Sequence, residues 1–357
     1  MTSGRYEPLR VAFIGVGNWS KALATALSKS KKLLCTSCFD LNPAASQSFS
    51  GVFGCKVAES YEEILDDSGV EGLILVTPNS SHAELTVAAA QAGKHIFCEK
   101  PIANTVADGR RMLEACERAG VVLSIAHLQR RMGAFRKMKA MLGEGALGQV
   151  LQAEASFGQP RGLILTREMW RFFEQECPGG AMMTLGVHHA DNLQYLLGPV
   201  RRVSALANRV AVPAEINDVG AAVLEFENGA LGYLGTNYAA PPNWALSLMG
   251  TGGNLHLRIK MTRLSPEDYY GAWERSDERA ELTFHRAGGE PEPHPFDKWN
   301  ILLAELEEFA DCVRLGGQPE VGAKEGLAAL AVILAANRSA AEGRAVEINE
   351  VLGQGDN

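Results

Sequence analysis

No stretch of this 357-residue chain approaches the ~20 uninterrupted apolar residues needed to cross a bilayer. The first ten residues are polar and carry no apolar export segment, so the expected location is the cytoplasm, away from any membrane. Positive charge is scarce as well. The 34 basic residues face 42 acidic ones, a net charge of -8, and this balance opposes attachment to nucleic acid, which needs clustered cations. The densest basic run, residues 129–139, follows an amphipathic helical pattern and reads as a solvated helix face or an anion contact. Internal repeats and low-complexity tracts are missing. Residues 290–295, with three prolines, are the one stretch resembling a flexible linker. The seven cysteines are odd in number and scattered, which excludes a disulfide framework. Cys35 and Cys38 form a C-x-x-C, but on a strand positions i and i+3 point to opposite faces, so buried, reduced thiols are expected. No His/Cys cluster has zinc spacing, and no metal is expected.

What remains is an ordinary globular composition, 46% hydrophobic and 21% charged, in a chain long enough for two domains sharing a cleft. The first 126 residues alternate strand and helix. Strands are expected at 9–14, 33–39, 72–76, 95–98 and 121–126. Helices follow at 20–28 and 105–119, and two more open at the capping-box patterns Ser60…Glu63 and Ser81…Glu84. Strict alternation with short connections implies a parallel, doubly wound sheet covered on both faces, with ligands bound beyond the carboxyl ends of its strands. Gly15-Val16-Gly17-Asn18-Trp19-Ser20 stands at that place after the first strand. Gly15 permits a tight turn, and Gly17 lets backbone approach a pyrophosphate at a helix N-terminus. Ser20 replaces the third glycine of the dinucleotide fingerprint and is small enough for close packing. Asp40 ends the second strand 25 residues after Gly15, where a carboxylate accepts from adenosine ribose hydroxyls and repels a 2′-phosphate. NAD is therefore expected over NADP.

Val76-Thr77-Pro78-Asn79-Ser80-Ser81-His82 and Cys98-Glu99-Lys100-Pro101, together with the glycine turn, resemble the Gfo/Idh/MocA family of glucose–fructose oxidoreductase and inositol dehydrogenase. The resemblance extends through Trp170-Arg171 and Gly179-Gly180 to the helix around residues 335–339. It implies an N-terminal Rossmann domain, placed at 1–127, and a C-terminal α+β domain for substrate and oligomer contacts, placed at 128–357. It also implies a homodimer or homotetramer. Thr77, Pro78 and Asn79 resemble the loop over the nicotinamide-side phosphate and ribose, with His82 opening the helix behind them. Asn18 and Trp19 fall in the coenzyme turn. Glu99 and Lys100 look like the ribose–nicotinamide contact and the active-site lysine, whose pKa should fall beside a cationic ring.

From residue 148 the pattern changes to strands at 150–157, 203–209, 219–226, 231–238, 245–249 and 255–259. Asn228-Gly229 and the 250–253 glycine segment read as hairpin turns in a largely antiparallel, open-faced sheet. In the helix within 178–198, Thr184, His188, Asp191 and Tyr195 form one polar stripe, with Met183, Ala190, Leu193, Leu196 and Leu197 on the opposite side. The family resemblance assigns the substrate histidine to His188 and leaves its neighbour His189 a structural role. The family's aspartate four residues earlier is Thr184 here, which can hydrogen-bond but cannot carry charge. The resulting hypothesis is hydride transfer between the nicotinamide C4 and a secondary alcohol of a sugar, cyclitol or related alicyclic polyol. His188 exchanges the hydroxyl proton and Lys100 polarises the oxygen. Thr184, Arg131, Trp170 and Arg171 line the substrate pocket, and the two arginines could hold an acidic or phosphorylated group. Three alternatives stand beside it: NAD recycled within glycoside cleavage or epimerisation, a non-catalytic nucleotide sensor, and a methyltransferase, which Glu99-Lys100-Pro101 argues against.

Overall fold

The computed structural model describes residues 7–260 and 273–353, so most of the polar N-terminal stretch lies outside the described residues. The chain begins β1 (Leu9–Ile14), α1 (Asn18–Leu27), β2 (Leu33–Phe39), α2 (Pro43–Phe53), β3 (Lys56–Val57), α3 (Tyr61–Asp66) and β4 (Gly72–Leu75). It continues α4 (His82–Gln91), β5 (His95–Cys98), α5 (Val106–Ala119) and β6 (Leu123–Ile125). These strands form a parallel sheet in the order β3-β2-β1-β4-β5-β6. Every residue of β4 is buried, and β1 and β5 are nearly so, as both-face cover by helices requires. The connections change direction between β1 and β4, which opens a crevice at their carboxyl ends.

The local signals hold where the backbone suits them. Thr105 caps α5 by accepting from Asp108 N at 3.1 Å, and Gly120 ends it at φ 66°. Ser60 accepts from Glu63 N at 3.1 Å, while the Glu63 carboxylate reaches back to Glu59 N instead of Ser60 N. The box expected at Ser81 does not form. Asn79–Ser81 is already a 3₁₀ turn, so Ser81 has helical backbone where a capping side chain needs an extended one. The opposite-face expectation for Cys35 and Cys38 is also overturned. Val11 pairs with Cys35 and Ala12 with Ser37, so Thr36 is an extra residue that shifts the strand's phase. Both thiols then lie within hydrogen-bonding reach of Cys55. All seven cysteines are free.

A 3₁₀ turn, Leu128–Arg131, leads into α6 (Gly133–Gly143), β7 (Val150–Gly158), α7 (Val187–Leu197), β8 (Val200–Asn208), β9 (Val219–Phe226) and β10 (Leu231–Asn237). Then come β11 (Asn243–Gly250), β12 (Gly253–Ile259), β13 (Ala280–Arg286) and β14 (Pro291–Pro293). With the late β15 (Val346–Glu347) they make a nine-stranded sheet, β14-β13-β12-β11-β7-β10-β9-β8-β15, antiparallel except where β10 runs alongside β7. The linker expected at 290–295 is therefore partly strand, because β14 pairs with β13. One face of the sheet is buried. The other leaves Leu206, Val223, Leu231 and Tyr233 exposed.

The chain then turns back. α8 (Ile301–Leu315) packs on α1 and on β1, β2 and β5 of the first sheet, with Phe309 edge-on to Phe97 at 6.0 Å. α9 (Ala323–Glu342), which contains residues 335–339, packs on α5, α7 and β8, and α10 (Ile348–Leu352) follows it. No helix among the described residues is long and apolar enough to cross a membrane.

The basic run 129–139 is only partly a solvated face: Lys139 is exposed, but the arginines are engaged within the fold. Arg130 and Arg131 are buried, and each charged head meets a carboxylate brought from elsewhere in the fold. Arg130 holds Asp191 through two bonds of 2.8 and 2.6 Å, Arg131 holds Glu308 at 2.9 Å, and Arg136 holds Glu320 at 2.7 Å. Burying a guanidinium requires such a partner.

Candidate active site

The segments after β1, β4 and β5 meet at the crevice. Gly15 N donates to Phe39 O at 2.9 Å, and the residue sits at φ 80° with Val76 O only 2.6 Å from where a Cβ would stand. Both the turn and the close approach demand glycine. Gly17 caps α1 without a side chain, and a Cβ there would meet nothing within 4 Å. The first turn of α1 holds no acidic residue. A helix N-terminus with no side-chain cap, beside open space, suits a pyrophosphate. Ser20 is buried and its hydroxyl donates to Gly15 O at 2.5 Å, closing the turn from within. Asp40 braces the same turn: Oδ2 accepts from Val16 N and Oδ1 from Asn42 N, both at 2.8 Å. Two of the carboxylate's four acceptor positions remain for ribose hydroxyls.

Thr77 and Asn79 line the cavity beyond β4. His82 opens α4 behind this loop, as expected, and does not line the cavity. It is fully buried with Nδ1 3.0 Å from Pro101 O and Nε2 3.2 Å from Thr77 O, and so ties the two site loops together from behind. Burial lowers its pKa. Glu99 is buried too. Its Oε1 accepts from the Trp19 indole and its Oε2 from Lys100 N at 3.1 Å. Burial raises its pKa despite the neighbouring Lys100. The Lys100–Pro101 bond is cis. Lys100 Nζ lies 3.4 Å from Thr184 O, and its pKa is pushed down to about 8. Burial is the main cause, Glu99 opposes it, and Arg171 and Arg161 add to it.

The second domain supplies the opposite wall. Gly179 and Gly180 both have positive φ, and at Gly180 a Cβ would stand 2.2 Å from Asn217 O. Just past them, Met182–Gly186 widens into a π turn before α7, a feature frequent at functional sites. The polar stripe expected on this helix divides. Thr184 and His188 face the cavity, whereas Asp191 is taken by Arg130 and the Tyr195 hydroxyl accepts from Arg136 at 3.0 Å. The helix is not amphipathic toward solvent, since Asp191 and Asn192 are as buried as its leucines. His188 is 7% exposed, stacks on Trp273 at 6.4 Å and 17°, and leaves Nδ1 without a partner among the described residues. Its pKa falls well below the ordinary value, through burial first and then the Lys100 charge. His189 packs on Trp244 and places Nε2 3.2 Å from Ser156 O, a structural position. The Thr184 hydroxyl is 3.3 Å from Cys177 Sγ.

The half-open cavity, about 250 Å³, falls just below the usual range of ligand clefts. It gathers Gly17, Asn18, Trp19, Glu99, Lys100, Trp170, Arg171, Thr184 and His188 among the residues anticipated from sequence. It does not gather Arg131, which Glu308 holds elsewhere. Gln159, Arg161 and Trp273 also line it and were not anticipated. The signal available for the first two was their place directly after β7, at a strand's carboxyl end.

Comparisons with known proteins agree with this fold. Residues 9–127 match the family model of an oxidoreductase family with an NAD-binding Rossmann fold, and residues 135–256 match the GFO/IDH/MocA C-terminal domain. The chain is 30% identical to 1,5-anhydro-D-fructose reductase of Ensifer adhaerens, covering 82% of this chain and 84% of that one. It is 25% identical to myo-inositol 2-dehydrogenase of Thermotoga maritima, covering 97% and 100%. A crystal structure from Desulfitobacterium hafniense, provisionally named an NADPH-dependent oxidoreductase, shares 36% identity and a TM-score of 0.91 over 98% of this chain and 100% of that one.

Proposed function

The chain belongs to the Gfo/Idh/MocA oxidoreductase family, as an NAD(P)-dependent dehydrogenase or reductase of CH–OH groups, and from that premise we propose that it transfers hydride between NAD(H) and a secondary alcohol of a sugar, cyclitol or related alicyclic polyol. The observation that carries this reading is the convergence of Lys100 and His188, from different domains, on one small cavity beside an open glycine turn. Gly17, Asn18, Thr77 and Asn79 would hold the coenzyme's phosphates and nearer ribose, and Asp40 the farther ribose. Bound there, NAD supplies the hydride acceptor.

The proton belongs to Lys100. An amine with a pKa of about 8 matches the working pH of a proton-transfer group, whereas burial and the Lys100 charge oppose protonation of His188. This reverses the division of labour expected from sequence. In alcohol oxidation the neutral amine takes the hydroxyl proton, and in carbonyl reduction the ammonium returns it. His188, kept neutral and oriented by its stack on Trp273, hydrogen-bonds the same oxygen.

Asp40 favours NAD over NADP because its carboxylate repels a 2′-phosphate. Free cysteines suit the reducing cytoplasm. The exposed apolar face of the nine-stranded sheet is the surface for a homodimer or homotetramer. The test is a panel of sugars, cyclitols, uronates, glycosides and dihydrodiols, offered with NAD and NADP side by side and read as coenzyme absorbance. NADH should accumulate with at least one polyol, and NAD should outperform NADP. Coenzyme that stays bound and unreduced with every alcohol rejects the reading, and product formed without net NADH replaces it with recycled-NAD chemistry.

A further inference from the structure

Resting on that reading, we propose that His127 is a positioning residue: through ordered water against His188 Nδ1, it keeps the His188 proton on Nε2, where the ring donates to the reacting oxygen. His127 follows β6 and leads into the 3₁₀ turn Leu128–Arg131, which packs against α7. It is buried, and both its ring nitrogens lack a hydrogen-bond partner among the described residues. It does not line the cavity, so it acts on a substrate only by way of another group.

Buried polar atoms almost always find partners, and here the orphans gather at one seam. The turn side brings His127 Nδ1 and Nε2 and Gln129 Nε2, and α7 brings His188 Nδ1 and Asn192 Oδ1. His188 and Asn192 are four residues apart and share one helix face. The two sides meet, since Asn192 Nδ2 donates to Gln129 Oε1 at 2.6 Å and His127 stands close enough to His188 to act on its protonation. Lys100 acts on both rings, which sets the seam directly behind the reacting amine. The orphans are complementary. Gln129 offers an N–H, Asn192 an oxygen, and a neutral imidazole one of each. Ordered water, which takes about three hydrogen bonds in such places, joins them.

Burial pushes the His127 pKa down to about 4, Asp191 opposes the fall, and Arg130, Lys100 and Arg131 add to it, so the ring is neutral at working pH. His188 is neutral for the same leading reason. A neutral imidazole carries its proton on one nitrogen, and the hydrogen bond made by the other decides which. A donor behind Nδ1 makes that nitrogen the acceptor and leaves the proton on Nε2. His189 shows this arrangement completed by protein groups, with Nε2 3.2 Å from Ser156 O and Nδ1 3.5 Å from Asn192 Nδ2. In His188 the same tautomer lets Nε2–H steady the negative charge that gathers on the oxygen while Lys100 exchanges the proton.

The tautomer is read without turnover, from the imidazole nitrogen-15 shifts of the histidine-labelled enzyme–NADH complex, with the His188 signals assigned by their loss in His188→Asn. Wild type should show His188 with a protonated Nε2 and a bare Nδ1. His127→Leu, which removes both ring nitrogens, should shift that tautomer toward Nδ1–H. It should also lower kcat on an oxidised polyol by about tenfold, less than the ~100-fold of an oxyanion donor lost outright. KM and the NADH dissociation constant should stay within about twofold. His127→Gln, which still hydrogen-bonds, should recover the wild-type tautomer and part of kcat. A wild-type His188 protonated on Nδ1 overturns the proposal whether or not any variant folds. So does a His127→Leu variant with unchanged tautomer and kcat, or one whose kcat falls only in step with NADH affinity. An Nε2-protonated His188 in an enzyme that oxidises no polyol leaves the positioning standing and removes the hydride-transfer reading. A working polyol dehydrogenase with the opposite tautomer does the reverse.

Discussion

Lys100 combines two opposing influences in one side chain. Burial and two guanidinium groups push its pKa down to about 8, while Glu99 pulls it up. The sign of the consequence depends on direction. Alcohol oxidation needs the neutral amine, so kcat/KM should climb with pH and level off above about 8. Carbonyl reduction needs the ammonium, so the rate should be level below about 8 and decline above it. Lys100→Met should erase the inflection and cut turnover by roughly 100-fold or more, the usual scale for lost proton transfer, with NADH affinity nearly intact. An inflection that survives in Lys100→Met would assign the proton to another group. Lys100 and His188 were singled out by the family resemblance of their segments, and the structure brings both to one cavity. Arg131 was misread because its partner, Glu308, lies 177 positions away and no local pattern announces a buried ion pair. Arg161 was missed for the converse reason, since an arginine in an irregular segment looks like any exposed cation until β7 and α7 bring that segment over the crevice.

Among the elements, the turn between β1 and α1 is the sharpest test of the coenzyme's place. The two glycines fail differently. A side chain at Gly15 collides with Val76 O, whereas one at Gly17 enters open space at the N-terminus of α1. Gly17→Ala should therefore fold, losing at most about 1 kcal/mol at the helix end, yet bind NADH about tenfold or more weakly, a loss of ~1.4 kcal/mol. Isothermal titration of the variant checks this, and unchanged affinity would move the pyrophosphate elsewhere. The parallel strands were legible because their apolar runs and terminal glycines are local properties. The departures were not. The extra residue at Thr36 and the π turn at Met182–Gly186 each insert one residue into a regular period. What fixes both is the register of neighbouring elements, which a single strand or helix does not encode. The pairing of Pro291–Pro293 with β13 likewise overrode a proline spacing that reads as linker.

At the scale of the whole molecule, the second sheet has one face covered and one bare. Val223 pairs with Tyr233 across β9 and β10, and Leu206 pairs with Ala221 on the adjoining strands, so the exposed apolar side chains sit close together. Val223→Asp should lower the mass found by light scattering to that of one chain while leaving NADH binding intact. A wild-type protein that is already monomeric at micromolar concentration would reject this face as an interface. The first sheet has a different debt, owed to α8. Its strands β1, β2 and β5 are covered by a helix that ends at Leu315, roughly 190 residues after β6. At ribosomal speeds that separation lasts roughly 10 to 40 s. Throughout that interval the nascent N-terminal third displays Phe97 and its neighbours to the surrounding medium, a natural stretch for chaperone capture. The dinucleotide fold, often pictured as an autonomous module, here matures only when nearly the last tenth of the chain is being made.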